Sequence, residues 1–389
     1  MSTLYKVQTG AYKNIVNATA AAVIARKKIE KYLKKKNSKE KVGVAVIQSG
    51  GYYKVQEGAF ASKDNALKRR DLVRAAGIYA VVIETKTQDS TPATQAAATD
   101  PETFRPRIRV MPICFFEKDE SLYGDCTAIL EYGSDNKTVT HCVLIDCAKA
   151  AATPVIIKKL RDAGVKRIDA VFISHAHGDH YGGLTNILKA FPIDALYLPD
   201  CTELDRYQKS YGNALRNQAK KIKNSHFLKT GDVVRIGHIV CENIFMCPAG
   251  KLKEHDSHHF VNNMSMALRF VLDGKWIFFC AGDLQNEGNK ILLATVDKEK
   301  LKCHIYKFQW HGDRNALLAA LIKAMSPLIA YSNYHHKEGS GRGSTRKAAE
   351  SVGCTVARNW ENGHIYIDCQ GKTMALSCSK ENLSKIFKL

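Results

Sequence analysis

No stretch of the chain approaches the roughly 18–20 consecutive apolar residues that a membrane-spanning helix needs, so the sequence offers no candidate span. The opening residues, Met1-Ser2-Thr3-Leu4-Tyr5-Lys6-Val7-Gln8, lack a basic start followed by an apolar stretch, and no secretory signal is expected. The twelve cysteines include no Cys-x-x-Cys pair and no spacing typical of a small disulfide scaffold. That absence favours reduced thiols in a cytosol-like compartment. Acidic residues are scarce: 38 Asp and Glu stand against 58 Lys and Arg, a formal net charge of +20. Such an excess fits solubility alone, or a polyanionic partner such as nucleic acid, a teichoic-type polymer or an anionic membrane surface. Charge does not choose among them. What is present is ordinary for a soluble globular protein, with 45% hydrophobic residues. A length of 389 residues suits two domains better than one core.

Residues 87–106 are rich in Thr, Ala and Pro and have no apolar period, which reads as a linker between a unit at 1–86 and a unit at 107–389. The small unit contains a repeat: Tyr5-Lys6-Val7-Gln8-Thr9-Gly10-Ala11-Tyr12 returns as Tyr53-Lys54-Val55-Gln56-Glu57-Gly58-Ala59-Phe60. Each copy is a strand followed by a helical run, Ala18 to Lys36 and Ser62 to Ala76. Further strands fit Val42–Gln48 and Tyr79–Glu84, giving the order β-α-β-β-α-β, a small α+β sandwich. Over residues 1–90 roughly eighteen basic residues face seven acidic ones, so this unit holds over half of the net charge. The run from Arg26 to Lys36 is either a solvated helix face or a landing patch for a polyanion. The repeated strand, the Asn65-Ala66 helix start and Arg74-Ala75-Ala76-Gly77 resemble the sporulation-related repeat (SPOR) domain, a peptidoglycan-binding module. The resemblance implies binding of glycan strands without peptide stems on the sheet face. Gln8, Tyr12, Gln56 and Phe60 would then lie near a ligand, although side chains of these types also simply pack and pair in a small sheet.

In the large unit strands alternate with helices throughout, a pattern that paired sheets with helices outside would satisfy. Its chemistry centres on Ala170-Val171-Phe172-Ile173-Ser174-His175-Ala176-His177-Gly178-Asp179-His180-Tyr181-Gly182-Gly183. An apolar strand ends at Ser174 and a helix follows Gly-Gly, so four metal-capable side chains cluster at the carboxyl end of a strand. Imidazole and carboxylate together suit zinc, manganese or iron. A closed structural site would want four ligands, usually including Cys.

The segment is the H-x-H-x-D-H signature and resembles the metallo-β-lactamase superfamily, whose fold is an α/β sandwich of αββα layers. The resemblance implies two divalent metal ions, Zn or Mn, with His175 and His177 on the first and Asp179 and His180 on the second. It further implies Asp146, ending the strand Val143-Leu144-Ile145, as a support for the ligand loop, Asp283 as the bridging carboxylate, and His311, expected at a strand end, as the last ligand of the second metal. One position departs from the pattern: Asn262 stands where a third His for the first metal is usual. His255, His258 and His259 nearby are expected in a solvated polar loop. The first site is therefore expected to be weak or completed by water.

Gly124-Asp125-Cys126-Thr127-Ala128-Ile129, Asn262 ahead of Ser265, Trp310-His311-Gly312 and Ser332-Asn333-Tyr334-His335-His336 resemble the hydrolase domain of competence-type DNA-uptake proteins. That group implies a nuclease or phosphodiesterase in which a metal-activated water attacks phosphorus. Asp179 would orient the nucleophile, and His335 or His336 would protonate the leaving group or clamp a phosphate. Arg342, in the loop Gly339–Ser344 before a helix, would contact the anion. The alternative is hydrolysis of esters, lactones or amides, those of a cell-wall-related substrate included. A third reading is a binding protein with an inactive hydrolase domain. The lack of a signal points to the cytoplasm and a glycan-binding module points outside it, and the sequence leaves both open.

Overall fold

In the computed structural model the chain forms two compact units, Met1–Thr99 and Asp100–Leu389, described here one at a time. The structure describes all residues except 1, 13–14, 39, 41, 50–51, 61, 79, 88–104, 116–121, 256, 334–341 and 381–382. The segment 87–106 read as a linker thus lies almost wholly outside the described residues.

The small unit runs β1 (Ser2–Tyr12), α1 (Ile15–Lys35), β2 (Val44–Ser49), β3 (Tyr52–Phe60), α2 (Lys63–Ala75) and β4 (Val81–Thr87), the order the sequence implied. The sheet order is β2-β3-β1-β4, all pairs antiparallel. The two repeat copies are the central pair: Tyr5 lies opposite Phe60, Tyr12 opposite Tyr53, and Gln8 opposite Gln56. A local two-fold axis therefore passes between the two glutamines. Strand alternation sends Val7 and Val55 under the helices, where they pack with Ala25, Ile29, Leu33, Ala66 and Val73. Phe60, expected near a ligand surface, packs against this same core. Glu57, 1% exposed, accepts two hydrogen bonds from Arg69, at 2.6 Å from Nε and 2.5 Å from Nη2, and ties β3 to α2. On α1, Lys27, Lys31, Lys34 and Lys35 are exposed.

The large unit begins with β5 (Ile108–Pro112), β6 (Thr127–Tyr132), β7 (Val139–Ile145), β8 (Ala170–Phe172), β9 (Leu196–Pro199) and β10 (Ser225–Leu228). Then come β11 (Val233–Ile236), β12 (Ile239–Phe245), β13 (Ala267–Leu272), β14 (Trp276–Cys280), β15 (Ile305–Lys307), β16 (Ile329–Ser332) and β17 (Thr355–Arg358). The last are β18 (Ile365–Gln370), β19 (Thr373–Cys378) and β20 (Ser384–Lys388). They form two sheets, β10-β9-β8-β7-β6-β5-β18-β19-β20 and β11-β12-β13-β14-β15-β16-β17.

Alternation along each strand builds the layers. In β6 and β7, Ile129, Val143 and Ile145 join Phe270, Trp276, Phe278 and Tyr331 of the other sheet in one core. Their neighbours Ala128, Leu130, Cys142 and Leu144 belong to a second core that includes Ile156, Leu160, Leu184 and Ile187 from the covering helices. Strands buried on both faces read as continuous apolar runs, which is why they were legible. The result is a mixed α/β sandwich of two sheets between helices. Eleven of the twelve cysteines are buried.

Two helices, Thr202–Tyr207 and Lys209–Ala219, meet at a break at Gln208 (φ −139°, ψ 57°). One expectation needs correction. The polar loop expected around His258 and His259 is a short helix, His258–Asn263.

Both sheets have a parallel half, β7-β8-β9-β10 and β14-β15-β16-β17. Asp146 follows β7, His175 to His180 follow β8, Asp283 follows β14 and His311 follows β15, all just beyond carboxyl ends. No helix among the described residues is long and apolar enough to cross a membrane.

Candidate metal centre

The signature segment is held by one carboxylate. Asp146, fully buried and left-handed (φ 61°), accepts hydrogen bonds from Ser174 N at 2.7 Å and Ser174 Oγ at 2.8 Å. His180 Nδ1 lies 2.8 Å from the same carboxylate. Main-chain bonds stitch the neighbouring loops together: Cys147 N donates to His180 O (2.6 Å), Asp125 N to Asp179 O (3.1 Å) and Ala148 N to Asp125 O (2.8 Å). This close approach explains the Gly-Gly after the signature. A Cβ on Gly183 would lie 2.1 Å from Cys147 O.

The two histidines expected on the second metal share a design. His180 is tied through Nδ1 to Asp146 and places Nε2 3.3 Å from Asp283 Oδ2. His311 is tied through Nδ1 to Asp125 Oδ1 at 3.2 Å and places Nε2 3.5 Å from Asp283 Oδ2 and 3.9 Å from Asp179 Oδ2. A carboxylate on one ring nitrogen orients a histidine so that the other is free for a metal. Ligand atoms of Asp125, His180, Asp283 and His311 all lie within 4.8 Å of one another. On the other side, His175 Nε2 and His177 Nδ1 are 3.0 Å apart, and the Asn262 side chain lies at His177. The His175 and His180 rings are 4.1 Å apart, so the two groups adjoin.

Charge follows the geometry. Burial and the neighbouring His180 push His175 well below the usual histidine range, and His177 is lowered for the same reasons. Burial also disfavours charge on His180, but Asp283, Asp146 and Asp179 outweigh it and hold its pKa well above the usual value. His311 is raised similarly: burial is outweighed by Asp283 and Asp125. Asp283 is pressed down by His180 and His311 in spite of its burial.

These residues fit a divalent metal. Asp283 Oδ1 is buried without a hydrogen-bond partner among the described residues, which is costly for a carboxylate oxygen. The donors are imidazole and carboxylate, the set that zinc, manganese and iron accept.

The structure brings together His175, His177, Asp179, His180, Asp283, His311, Asp146 and Asn262. His335 and His336 lie outside the described residues, as does the side chain of Arg342, whose backbone opens the helix Arg342–Glu350. His311 is not at a strand end as expected: β15 stops at Lys307, and Gln309–Gly312 forms a tight turn with Trp310 (φ 43°) and His311 (φ 55°) left-handed. That turn carries the imidazole to Asp283. His255 stacks on Tyr207 (4.2 Å) and bonds Ala249 O, so it is engaged away from the ligand group.

Sequence reasoning missed two residues. Asp125 and Lys307 form an ion pair, 1% and 2% exposed, directly behind His311. Beside it burial opposes the charge on Lys307, but Asp125 more than offsets this and keeps the ammonium protonated. The signal for Lys307 was a lone charge inside an apolar strand, Ile305-Tyr306-Lys307-Phe308. Asp125 pledges one oxygen to Lys307 and one to His311, which makes it a support for that ligand.

Comparison with known proteins agrees with this picture. The pattern of the metallo-beta-lactamase superfamily matches residues 137–253, and that of the SPOR domain matches residues 2–84. ComE operon protein 3 of Bacillus subtilis is 26% identical over 192 residues, 47% of this chain and 23% of that protein. Hydroxyacylglutathione hydrolase of Acaryochloris marina is 29% identical over 105 residues, 27% of this chain and 34% of that protein. The matched stretches thus span about a quarter and about a third of those relatives' lengths. Among solved structures, the peptidoglycan binding domain of the B. subtilis cell wall lytic enzyme CwlC is 38% identical, covering 22% of this chain and 94% of that one, with a TM-score of 0.18. The chain thus carries a region similar to the SPOR domain followed by a region similar to the metallo-beta-lactamase superfamily.

Proposed function

We propose that the large unit is a metal-dependent phosphodiesterase acting on nucleic acid. The observation that carries this is the preformed cage of His180, Asp283 and His311, with Asp179 at its edge, in a chain of net charge +20. Basic surface neutralises backbone phosphates and makes binding fall with salt. The match to ComE operon protein 3 supports the same reading.

His175 and His177 would hold one ion and Asp179, His180 and His311 the other, with Asp283 between them. Zinc or manganese bound there supplies an activated water at neutral pH and offsets charge on the phosphoryl oxygens. The chain's own contribution is orientation and proton handling. Asp146 and Asp125 fix two imidazoles, Lys307 keeps Asp125 anionic, and Asp179, with its side chain 23% exposed, would accept the nucleophile's proton. Asn262, a neutral amide beside His177, leaves room for a phosphate oxygen. His335 or His336 would serve the leaving group and Arg342 the phosphate. The small unit would tether the enzyme to a polymer, with peptidoglycan glycan strands the candidate.

The match to hydroxyacylglutathione hydrolase supports a second reading, hydrolysis of an ester or related carbonyl substrate. Linear single- and double-stranded DNA incubated with purified protein and Mn²⁺, Zn²⁺ or Mg²⁺ separates the two. Cleavage of the single strand is expected with metal, and is expected to vanish with EDTA and in His177→Ala. Intact DNA with every metal, together with turnover of thioesters or lactones, would transfer the proposal to the second reading.

A further inference from the structure

Two half-buried aromatic side chains flank the cage. Tyr211, on the helix Lys209–Ala219, meets the His177 ring edge-to-face with centroids 5.6 Å apart. At the other end Trp310 immediately precedes His311, and its N–H donates to Gly282 O, next to Asp283, at 3.2 Å. The Trp310 ring meets His259 edge-to-face at 5.7 Å. His259 and Asn262 are three residues apart on one short helix, so they share a face, and Asn262 lies at His177. A continuous rim therefore runs from Tyr211 through His177, Asn262 and His259 to Trp310.

Packing alone does not explain this rim. Trp310 holds a left-handed backbone (φ 43°, ψ 49°), which a bulky residue rarely adopts and which persists where surroundings impose it. The cost is spent on a ring that remains partly exposed beside a candidate ligand, while Trp276 is fully buried in the core. His259 Nδ1, behind that ring, is buried without a hydrogen-bond partner among the described residues.

We infer that Trp310 and Tyr211 are stacking platforms for the bases on either side of the scissile phosphate, so that the substrate is nucleic acid with unpaired bases, not duplex and not a base-free polyol phosphate. The inference rests on the phosphodiesterase reading and deepens it. Stacking on an aromatic face requires a splayed base, and every base offers such a face, so strandedness is selected and sequence is not.

The test uses the full chain in EDTA, so binding is read without turnover. A thymidine oligonucleotide, an abasic sugar-phosphate oligomer of equal length and a duplex are titrated, following tryptophan fluorescence and the anisotropy of the labelled strand. The thymidine strand is expected to quench fluorescence and to bind about tenfold more tightly than the abasic oligomer or the duplex. Trp310→Leu is expected to remove both the quench and the tenfold preference, with abasic affinity unchanged. Trp310→Phe is expected to keep the preference and lose only the quench, and Tyr211→Leu gives an independent check should Trp310→Leu fold poorly. Equal affinity for thymidine and abasic strands, or a preference unaltered in both leucine variants, would overturn the stacking role. DNA cleavage retained under that result would leave the phosphodiesterase reading standing, whereas base-dependent binding without cleavage would remove that reading and leave the platforms.

Discussion

Metal-free protein titrated with Mn²⁺ or Zn²⁺ is expected to take up its first equivalent at least about tenfold more tightly than its second. The asymmetry is built into the donors. On one side His180 and His311 are already aimed at Asp283, each with its other nitrogen held by a buried carboxylate. On the other side, among the described residues, His175 and His177 offer imidazole, and the Asn262 side chain lies at His177. A neutral amide is a weak ligand for zinc, which takes His, Cys or carboxylate. Asn262→His is expected to tighten the weaker site by about tenfold or more and to close most of the gap. Isothermal titration calorimetry reads both constants, and equal affinities in the natural protein would reject the assignment of Asn262. The pH dependence has a definite sign. With no metal, Asp283 and its neighbours hold His180 and His311 protonated above the usual histidine range. Uptake must displace those protons, so binding is expected to release protons and to weaken as pH falls.

Asp283→Asn is expected to lower turnover by about 10³-fold, the scale of losing one preorganised charge-stabilising group. The side chain is buried, its Oδ2 lies within 3.5 Å of both His180 Nε2 and His311 Nε2, and its Oδ1 has no other partner. Asparagine keeps the shape and removes the charge beside His180 and His311. Bound metal, measured by mass spectrometry, is expected to fall to one equivalent or less. Steady-state turnover within about tenfold of the natural protein would show that Asp283 does not bridge the centre.

Much of the site was legible in the sequence, for a physical reason. His175, His177, Asp179 and His180 lie within six residues between a buried strand and a helix, so local chain geometry alone brings them together. Asp146 and Asp283 were named from the family resemblance, and each does follow an apolar strand, where strands of a layered α/β fold end on the same edge. The missed parts depend on contacts far apart in sequence. Nothing near Asp125 announces Lys307, and nothing before Gly312 announces two left-handed residues at Trp310 and His311. The strands β10, β11, β19 and β20 were not foreseen either. Edge strand β20 exposes Ser384, Lys385 and Ile386, and such edges carry charge and little apolar pattern, which protects them from pairing with other chains. In the small unit the repeat was decisive, because it identified the two central strands before their pairing was known.

The most direct test is an anomalous-scattering map from crystals of the protein grown with Mn²⁺. Two peaks are expected, one against His175 and His177, the other against Asp179, His180 and His311, with Asp283 between them and Asp125 still paired to Lys307. A single peak, or one that draws Asp125 away from Lys307 and leaves His175 and His177 empty, would contradict the two-metal centre.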